Sequence, residues 1–134
     1  MSNKQPCPCH SGHTFSDCCE AFLNEQKKPR TAEQLMRSRY SAFVNENERY
    51  LLQTWHEEHR PQGITFDPHT KWLGLNVKRC KRGTEQDQCG WVEFVARYKI
   101  AGKAERIEEQ SFFIKKDGQW CYVEAEDKNW DQLS

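Results

Sequence analysis

The sequence predicts an α+β fold in which two helices precede an antiparallel four-stranded meander, behind a short cysteine-rich segment. Three observations carry that expectation. Four of the seven cysteines fall between residues 7 and 19. Apolar residues recur at helical spacing over residues 32–44 and again near 50–55. From residue 72 onward the apolar period drops to two. A chain of 134 residues holds one core and a small appendage, since small units bury too little surface to offset the entropy of ordering. With 30% charged and 36% hydrophobic residues, and seven Phe, five Trp and four Tyr, the composition is globular and not disordered. The formal net charge is zero, which argues against wholesale attraction to nucleic acid or anionic lipid and leaves only a local patch to consider.

The first residues, Met-Ser-Asn-Lys-Gln-Pro-Cys, show no apolar run of the kind a secretion signal needs. No stretch approaches the ~20 apolar residues that span a bilayer. A cytoplasmic location without membrane contact is therefore expected, and thiols stay reduced there. Clustered thiols in that setting point to a metal. Residues 7–19 read Cys-Pro-Cys-His-Ser-Gly-His-Thr-Phe-Ser-Asp-Cys-Cys. Zinc takes four tetrahedral ligands with Zn–S near ~2.3 Å. Cys7 and Cys9 can meet one ion if the backbone turns sharply, which Pro8 stiffens and Ser11-Gly12 completes. Phe15 gives the loop an apolar anchor. Adjacent helical residues project about 100° apart, so Cys18 and Cys19 share an ion only at a turn or a helix start. His10 or His13 could replace one cysteine, and free thiols are the bland alternative. Disulfides within either close pair would be strained. Four protein ligands leave no open position for water, so the expected Zn2+ is structural.

The string Cys7-Pro8-Cys9-x-Ser11-Gly12-x-x-Phe15-x-x-Cys18-Cys19 resembles the SEC-C motif, which ends the bacterial protein-export ATPase and recurs in other bacterial proteins. The resemblance implies zinc held by Cys7, Cys9, Cys18 and Cys19, and a surface for docking a protein or, less favoured, nucleic acid. It departs from the usual pattern at His10, where a glycine is common; this strains the turn without removing a ligand.

Glu20–Arg30 reads as a polar connector whose start, Ala21-Phe22-Leu23, packs the knuckle onto the rest of the chain. Pro29 stops any helix there. Thr31 is an N-cap and Gln34 completes a capping box, so Ala32–Val44 is an amphipathic helix with Met36, Tyr40, Phe43 and Val44 on one face. Tyr50, Leu51, Thr54 and Trp55 make a second, shorter helix that His56–Pro61 closes. Trp72–Cys80 alternates, with Leu73, Leu75 and Val77 on one face, and Lys81–Gln88 is a charged loop. Val92–Ile100 alternates, Ala101-Gly102-Lys103 turns, and a third strand runs from Arg106 to Lys115. Asp117-Gly118 is a hairpin signal before a last strand, Gln119–Glu124.

Leu35-Met-Arg-Ser-Arg39-Tyr40-Ser-Ala-Phe43, Tyr50-Leu-Leu-x-Thr54-Trp55, Trp72-Leu-Gly74-Leu75, Gly90-x-Val92-Glu93-Phe94 and Gly118-x-Trp120-x-Tyr122 are similar to segments of the YchJ-like family. That resemblance implies a SEC-C knuckle over 1–28 and an NTF2-like (cystatin-like) domain over 29–134, a curved antiparallel sheet wrapped on helices. Such cones often enclose a pocket, here expected near Arg39, Tyr40, Trp55 and Trp72. Members are generally described as uncharacterised.

Each further candidate has a bland reading beside it. Trp55, Trp72, Trp91 and Trp120 either line a cavity or pack the core. Arg39 is expected to pair with a buried carboxylate such as Glu93 or Glu109. His56 and His59 could share a helix face as metal ligands, although a helix C-terminus favouring His and Arg is the simpler reading. Lys78-Arg79-Cys80-Lys81-Arg82 could touch RNA or an acidic partner, yet Glu85 and Asp87 nearby suggest a solvated loop. Cys80 and Cys89 flank that loop as free thiols, and Cys121 is an ordinary strand thiol. No nucleophile–base pair announces an enzyme. The expected function is a zinc-binding accessory protein that docks a protein partner, with a small-molecule-binding or enzymatic pocket as the alternative.

Overall fold

The computed structural model describes residues 5–126; the ends of the two expected segments, 1–4 and 127–134, lie outside them. A 3-10 turn, Phe15–Asp17, leads into the short helix α1, Cys19–Leu23. Helix α2 spans Ala32–Val44, the range its apolar period and cap predict. Thr31 is extended, and its Oγ1 accepts from Gln34 N at 3.1 Å. Gln34 Oε1 accepts from Arg30 N at 2.7 Å, so the expected box closes one residue further out. Thr31→Ala is expected to cost about 1 kcal/mol in urea unfolding, because it orphans the Gln34 N–H.

Helix α3 covers Glu48–Gln53, capped by the Asn47 side chain on Tyr50 N at 3.0 Å. It stops before Trp55, contrary to expectation. Tyr122 N donates to Thr54 O and His56 N donates to Tyr122 O, both at 2.8 Å, so Trp55 sits in a parallel bridge with Tyr122. His56 and His59 therefore lie beyond the helix and do not end it.

Strands β1 (Thr70–Arg82), β2 (Cys89–Ile100), β3 (Lys103–Lys116) and β4 (Gln119–Glu126) form one antiparallel sheet in the order β1-β2-β3-β4. Ala101-Gly102 and Asp117-Gly118 have positive φ at both residues, 50° and 83°, then 54° and 77°, as tight hairpins with right-handed twist require. Leu73 departs from the expected face. A register shift between Trp72 and Gly74 puts Trp72 in place of Leu73 beside Leu75 and Val77, and Leu73 is left 41% exposed.

Helix α2 packs on β1, β2 and β4. One buried cluster joins Cys7, Cys9, Phe15 and Cys19 to Leu35, Met36 and Tyr40 of α2, to Leu75, Val92, Phe94, Ala96 and Phe113 of the sheet, and to Trp120. The cysteine segment and the sheet domain thus share one core. The α2 N-terminus is seated on the β1–β2 connection, where Ala32 N donates to Gly83 O at 2.9 Å. A Cβ on Gly90 would lie 2.4 Å from Gly83 Cα, backbone against backbone. Gly90→Ala is expected to cost about 2 kcal/mol, read as a fall in Tm.

Candidate functional site

The cysteine cluster is built by local turns. Cys7 N donates to His13 O at 2.9 Å and His10 N donates to Cys7 O at 3.1 Å, folding the chain back on itself. Gly12 takes φ +92° and His10 takes φ +60°, so the position where glycine is common does demand left-handed backbone. Cys18 is the N-cap of α1 and Cys19 its first residue; a helix start is where an adjacent pair can converge.

The four Sγ atoms of Cys7, Cys9, Cys18 and Cys19 lie within 4.8 Å of one another. Cys9 and Cys18 are 3.6 Å apart at sulfur, and Cys18 and Cys19 are 3.9 Å apart. A tetrahedron with metal–sulfur bonds of ~2.3 Å has edges of ~3.8 Å, so the thiols already stand at ligand spacing. They are far from the ~2.05 Å of a disulfide, and all seven cysteines are free. Among the described residues this is the one set of three or more ligand groups close enough for an ion. Neither His10 nor His13 belongs to it. The His10 ring lies over Gly74, where an added Cβ would meet Cε1 at 2.4 Å.

The cluster is almost wholly buried. Cys9, Cys19 and Cys7 are 0%, 1% and 2% exposed. Hydrogen bonds from the Cys19 and Cys9 thiols hold Cys7 far below the ordinary thiol range, and the bond Cys19 gives to Cys7 pushes Cys19 far above it. Burial pushes Cys18 up to about 11, against the Ser11 hydroxyl. Ionisation is thus favoured at Cys7 and opposed at Cys18 and Cys19, and a bound cation is what would let the opposed thiols ionise as well. Donors surround the cluster. The backbone N–H groups of Cys9 and Cys19 reach Cys7. Ser41 Oγ is 3.6 Å from Cys7 Sγ and Ser11 Oγ is 3.2 Å from Cys18 Sγ. Arg37 bridges α2 to the loop, Nη1 donating to Cys9 O at 2.7 Å and Nε to Glu33 at 2.9 Å. Because bound thiolates must shed protons, metal affinity is expected to fall as pH drops below neutrality, measurable by competition with a chromophoric chelator across pH 5–8.

On the far side of α2, Arg39, Tyr40, Trp55 and Trp72 line one cavity of about 290 Å³. Met36, Phe43, Phe94, Ala96, Ile107, Glu109, Ser111 and Tyr122 complete its wall. Of its β2 and β3 members, Phe94 and Ala96 were legible as strand positions of period two and Glu109 as a candidate partner of Arg39; Phe94 and Glu109 are paired in register, as are Ala96 and Ile107. The walls are largely aromatic, with Tyr40, Phe43 and Tyr98 packed around Trp72 at centroid distances of 5.6, 6.0 and 5.5 Å. Burial pushes the Tyr40 phenol up to about 12.

Arg39 corrects the expected ion pair. It is 4% exposed, and no carboxylate among the described residues pairs with it. Glu93 lies instead 3.7 Å from Arg79 and accepts from Gln110 at 3.3 Å. Arg39 Nη1 donates to Leu51 O at 2.8 Å and Thr54 Oγ1 at 2.7 Å. Its guanidinium carbon lies 4.9 Å from the Trp55 ring centre and 4.6 Å from that of Tyr122. Burial brings its pKa down to about 10, still charged at neutral pH. Trp55 Nε1 is buried without an acceptor among the described residues.

The remaining candidates scatter. Trp120 is buried and donates Nε1 to Arg30 O at 3.0 Å, while Trp91 stacks on Phe112 at 5.0 Å with Lys81 over its ring. Lys78–Arg82 belongs to β1, an edge strand, and not to a loop. His56 and His59 are 6.0 Å apart at ring centres. His59 faces Glu124 at 3.8 Å, without forming a metal set. Cys80 is exposed, its thiol 3.5 Å from Glu33, while Cys89 and Cys121 are half-buried. No helix among the described residues is long and apolar enough to cross a membrane.

The family model described as "YchJ, middle NTF2-like domain" matches residues 31–125, well over half the chain. The chain belongs to the YchJ family. A SEC-C motif matches residues 4–21, enclosing the four cysteines. Among family relatives, a UPF0225 protein of Chromobacterium violaceum is 50% identical over 121 residues, covering 87% of this chain and 89% of its own. Another, from Ralstonia nicotianae, is 44% identical, covering 90% of each. The solution structure of a SEC-C motif containing protein from Rhodopseudomonas palustris superposes with a TM-score of 0.81 at 30% identity, covering 96% of this chain and all of that one. A crystal structure from Psychrobacter arcticus, at 23% identity and a TM-score of 0.76, shares the fold over 95% of this chain and 86% of its own. Family, NTF2-like fold and a cysteine cluster able to hold a metal ion are thereby established.

Proposed function

We propose that this protein is a ligand-binding NTF2-like domain whose core is braced by one structural zinc ion, and that the cavity beside α2 is its working site. The single observation that supports the ligand reading is the cavity's wall, where an almost wholly buried arginine stands among aromatic side chains without a carboxylate partner among the described residues. A closed, side-chain-filled cone would have removed this reading. The zinc reading rests on a ligand set of thiolates alone, which suits zinc among common divalent ions. In that role the ion organises Cys7, Cys9, Cys18 and Cys19 and does no chemistry. The test is a fragment screen by amide NMR on the zinc-loaded full chain. Hits are expected to shift Met36, Tyr40, Trp55, Trp72 and Ile107, and Ala96→Leu, which fills the cavity floor, is expected to abolish them. Absence of any hit at those residues would contradict the proposal.

Docking of a protein partner by the knuckle stands as the second reading, with nucleic acid less favoured. One observation favours it. Leu73, the exposed large hydrophobic among the described residues, adjoins Gly74, against which His10 packs. Leu73→Asp is expected to abolish partner recovery while metal content stays at one ion per chain; recovery indifferent to both Leu73→Asp and Cys19→Ser would end this reading.

A further inference from the structure

We propose that the cavity takes small monocarboxylic acids with an apolar or aromatic body, the carboxylate seated at Arg39. The inference rests on the ligand-binding reading above and names the chemical class that this wall would select. Arg39 carries a fixed positive charge into a low-dielectric site, and both of its hydrogen bonds leave from Nη1. Its Nε–H and Nη2 groups donate to no acceptor among the described residues, and the residue lines the cavity. A planar guanidinium with free donors is matched by a carboxylate, which can accept two parallel bonds and neutralise the charge.

The guanidinium carbon lies over the Trp55 and Tyr122 rings, which meet each other edge-to-face, and Leu51 O and Thr54 Oγ1 anchor one nitrogen. The group is therefore fixed before a ligand arrives, which lowers the ordering cost of binding. The rest of the wall sets the ligand's body. Met36, Phe43, Trp72, Phe94, Ala96 and Ile107 offer no charge. A volume of about 290 Å³ accommodates on the order of ten non-hydrogen atoms at about 30 Å³ for each water-sized group. Arg39 is the one cation among the residues that line this wall. One carboxylate and an apolar remainder match one guanidinium and a largely apolar wall; a dicarboxylate or a sugar phosphate finds no second cation there.

The test compares phenylacetate and hexanoate with phenylacetamide, hexanamide and phenethylamine, each titrated into the zinc-loaded full chain and followed by calorimetry and amide NMR. The acid–amide pairs change the ligand's charge and leave the protein untouched, so the result does not depend on a variant that fails to fold. The acids are expected to bind at least tenfold more tightly than their amides, with shifts at Met36, Tyr40 and Ile107. Arg39→Lys, which keeps the charge and loses the fork, is expected to weaken the acids more than the amides. Amides that bind as tightly as acids, or an amine that binds best, would overturn the carboxylate assignment and leave a ligand-binding cavity standing. If no probe shifts a residue of the cavity, both this inference and the ligand-binding reading fall.

Discussion

Cys9→Ser is expected to lose the bound ion and to lower Tm by about 10–15 °C, the largest effect of any single substitution outside the sheet. Cys9 is wholly buried, and its sulfur stands 3.6 Å from that of Cys18. Serine is a hard, protonated ligand at neutral pH, so the substitution removes one of four soft donors and leaves a hydroxyl in an apolar site. Structural zinc contributes on the order of 10 kcal/mol to isolated fingers. Here a hydrophobic cluster supports the same residues, so the expected loss is about 3–5 kcal/mol, and at this chain length each kcal/mol is worth roughly 3 °C. Excess zinc should not restore the transition. Cys80→Ser and Cys121→Ser, outside the ligand set, are expected to leave metal content and Tm unchanged.

Arg39→Ala is expected to cost about 2–4 kcal/mol, second only to the loss of the metal. The substitution takes a charged donor from the Leu51 carbonyl and the Thr54 hydroxyl, the latter keeping its own bond to Tyr50 O at 2.7 Å, strips a cation from two rings, and opens a hole between α2, α3 and β4. Two bonds from a charged donor at about 1.5–3 kcal/mol each, less the cost of desolvating the guanidinium, give that range. Arg39→Lys should recover part of the loss, since an ammonium can reach one acceptor but cannot spread a planar, delocalised cation over the Trp55 and Tyr122 rings. Denaturant midpoints of the two variants decide it; equal stability of Arg39→Ala and the parent chain would contradict the role.

Local chemistry is what made parts of the fold legible in the sequence. Helix α2 could be bounded to the residue because Pro29, the Thr31 cap and the apolar period all act within a few positions. The two hairpins were legible from Ala-Gly and Asp-Gly, since both positions need positive φ. The cysteine cluster was legible because all four thiols lie in one short loop and their convergence does not depend on distant contacts. Failures came where a remote segment overrides a local pattern. Trp55 reads as helical by spacing, yet its backbone pairs with Tyr122. Leu73 alternates with Leu75 and Val77 on paper, but a bulge invisible in the sequence exchanges it for Trp72. Arg39 was expected to find Glu93 or Glu109, because a buried cation is ordinarily answered by a carboxylate; two rings and two neutral acceptors answer it instead. The strand ends were placed short because pairing continues through charged residues such as Lys103 and Glu105, which carry no apolar signal.

The cysteine segment has a different standing in the fold than in the sequence. As a sequence it reads as an appendage in which sulfur coordination substitutes for a core. In the fold, Cys7 and Cys9 are tied to α2 through Ser41 and Arg37, and the same helix carries Met36, Arg39 and Tyr40 into the cavity wall. His10 presses on Gly74 close to Trp72, a second link between the loop and that wall. Cysteine cluster and cavity are thereby neighbours through one helix and one strand, and removal of an ion bound at the cluster is expected to loosen both.

Amide hydrogen exchange along α2, compared between the zinc-loaded chain and the same chain after exhaustive chelation, reads that coupling residue by residue. Stripping the ion should raise exchange not only in residues 7–23 but throughout residues 35–43 and at Leu75 and Val92. Loss of protection confined to residues 7–23, with α2 as slow to exchange as before, would show that the metal holds a separable knuckle and not the core of the domain.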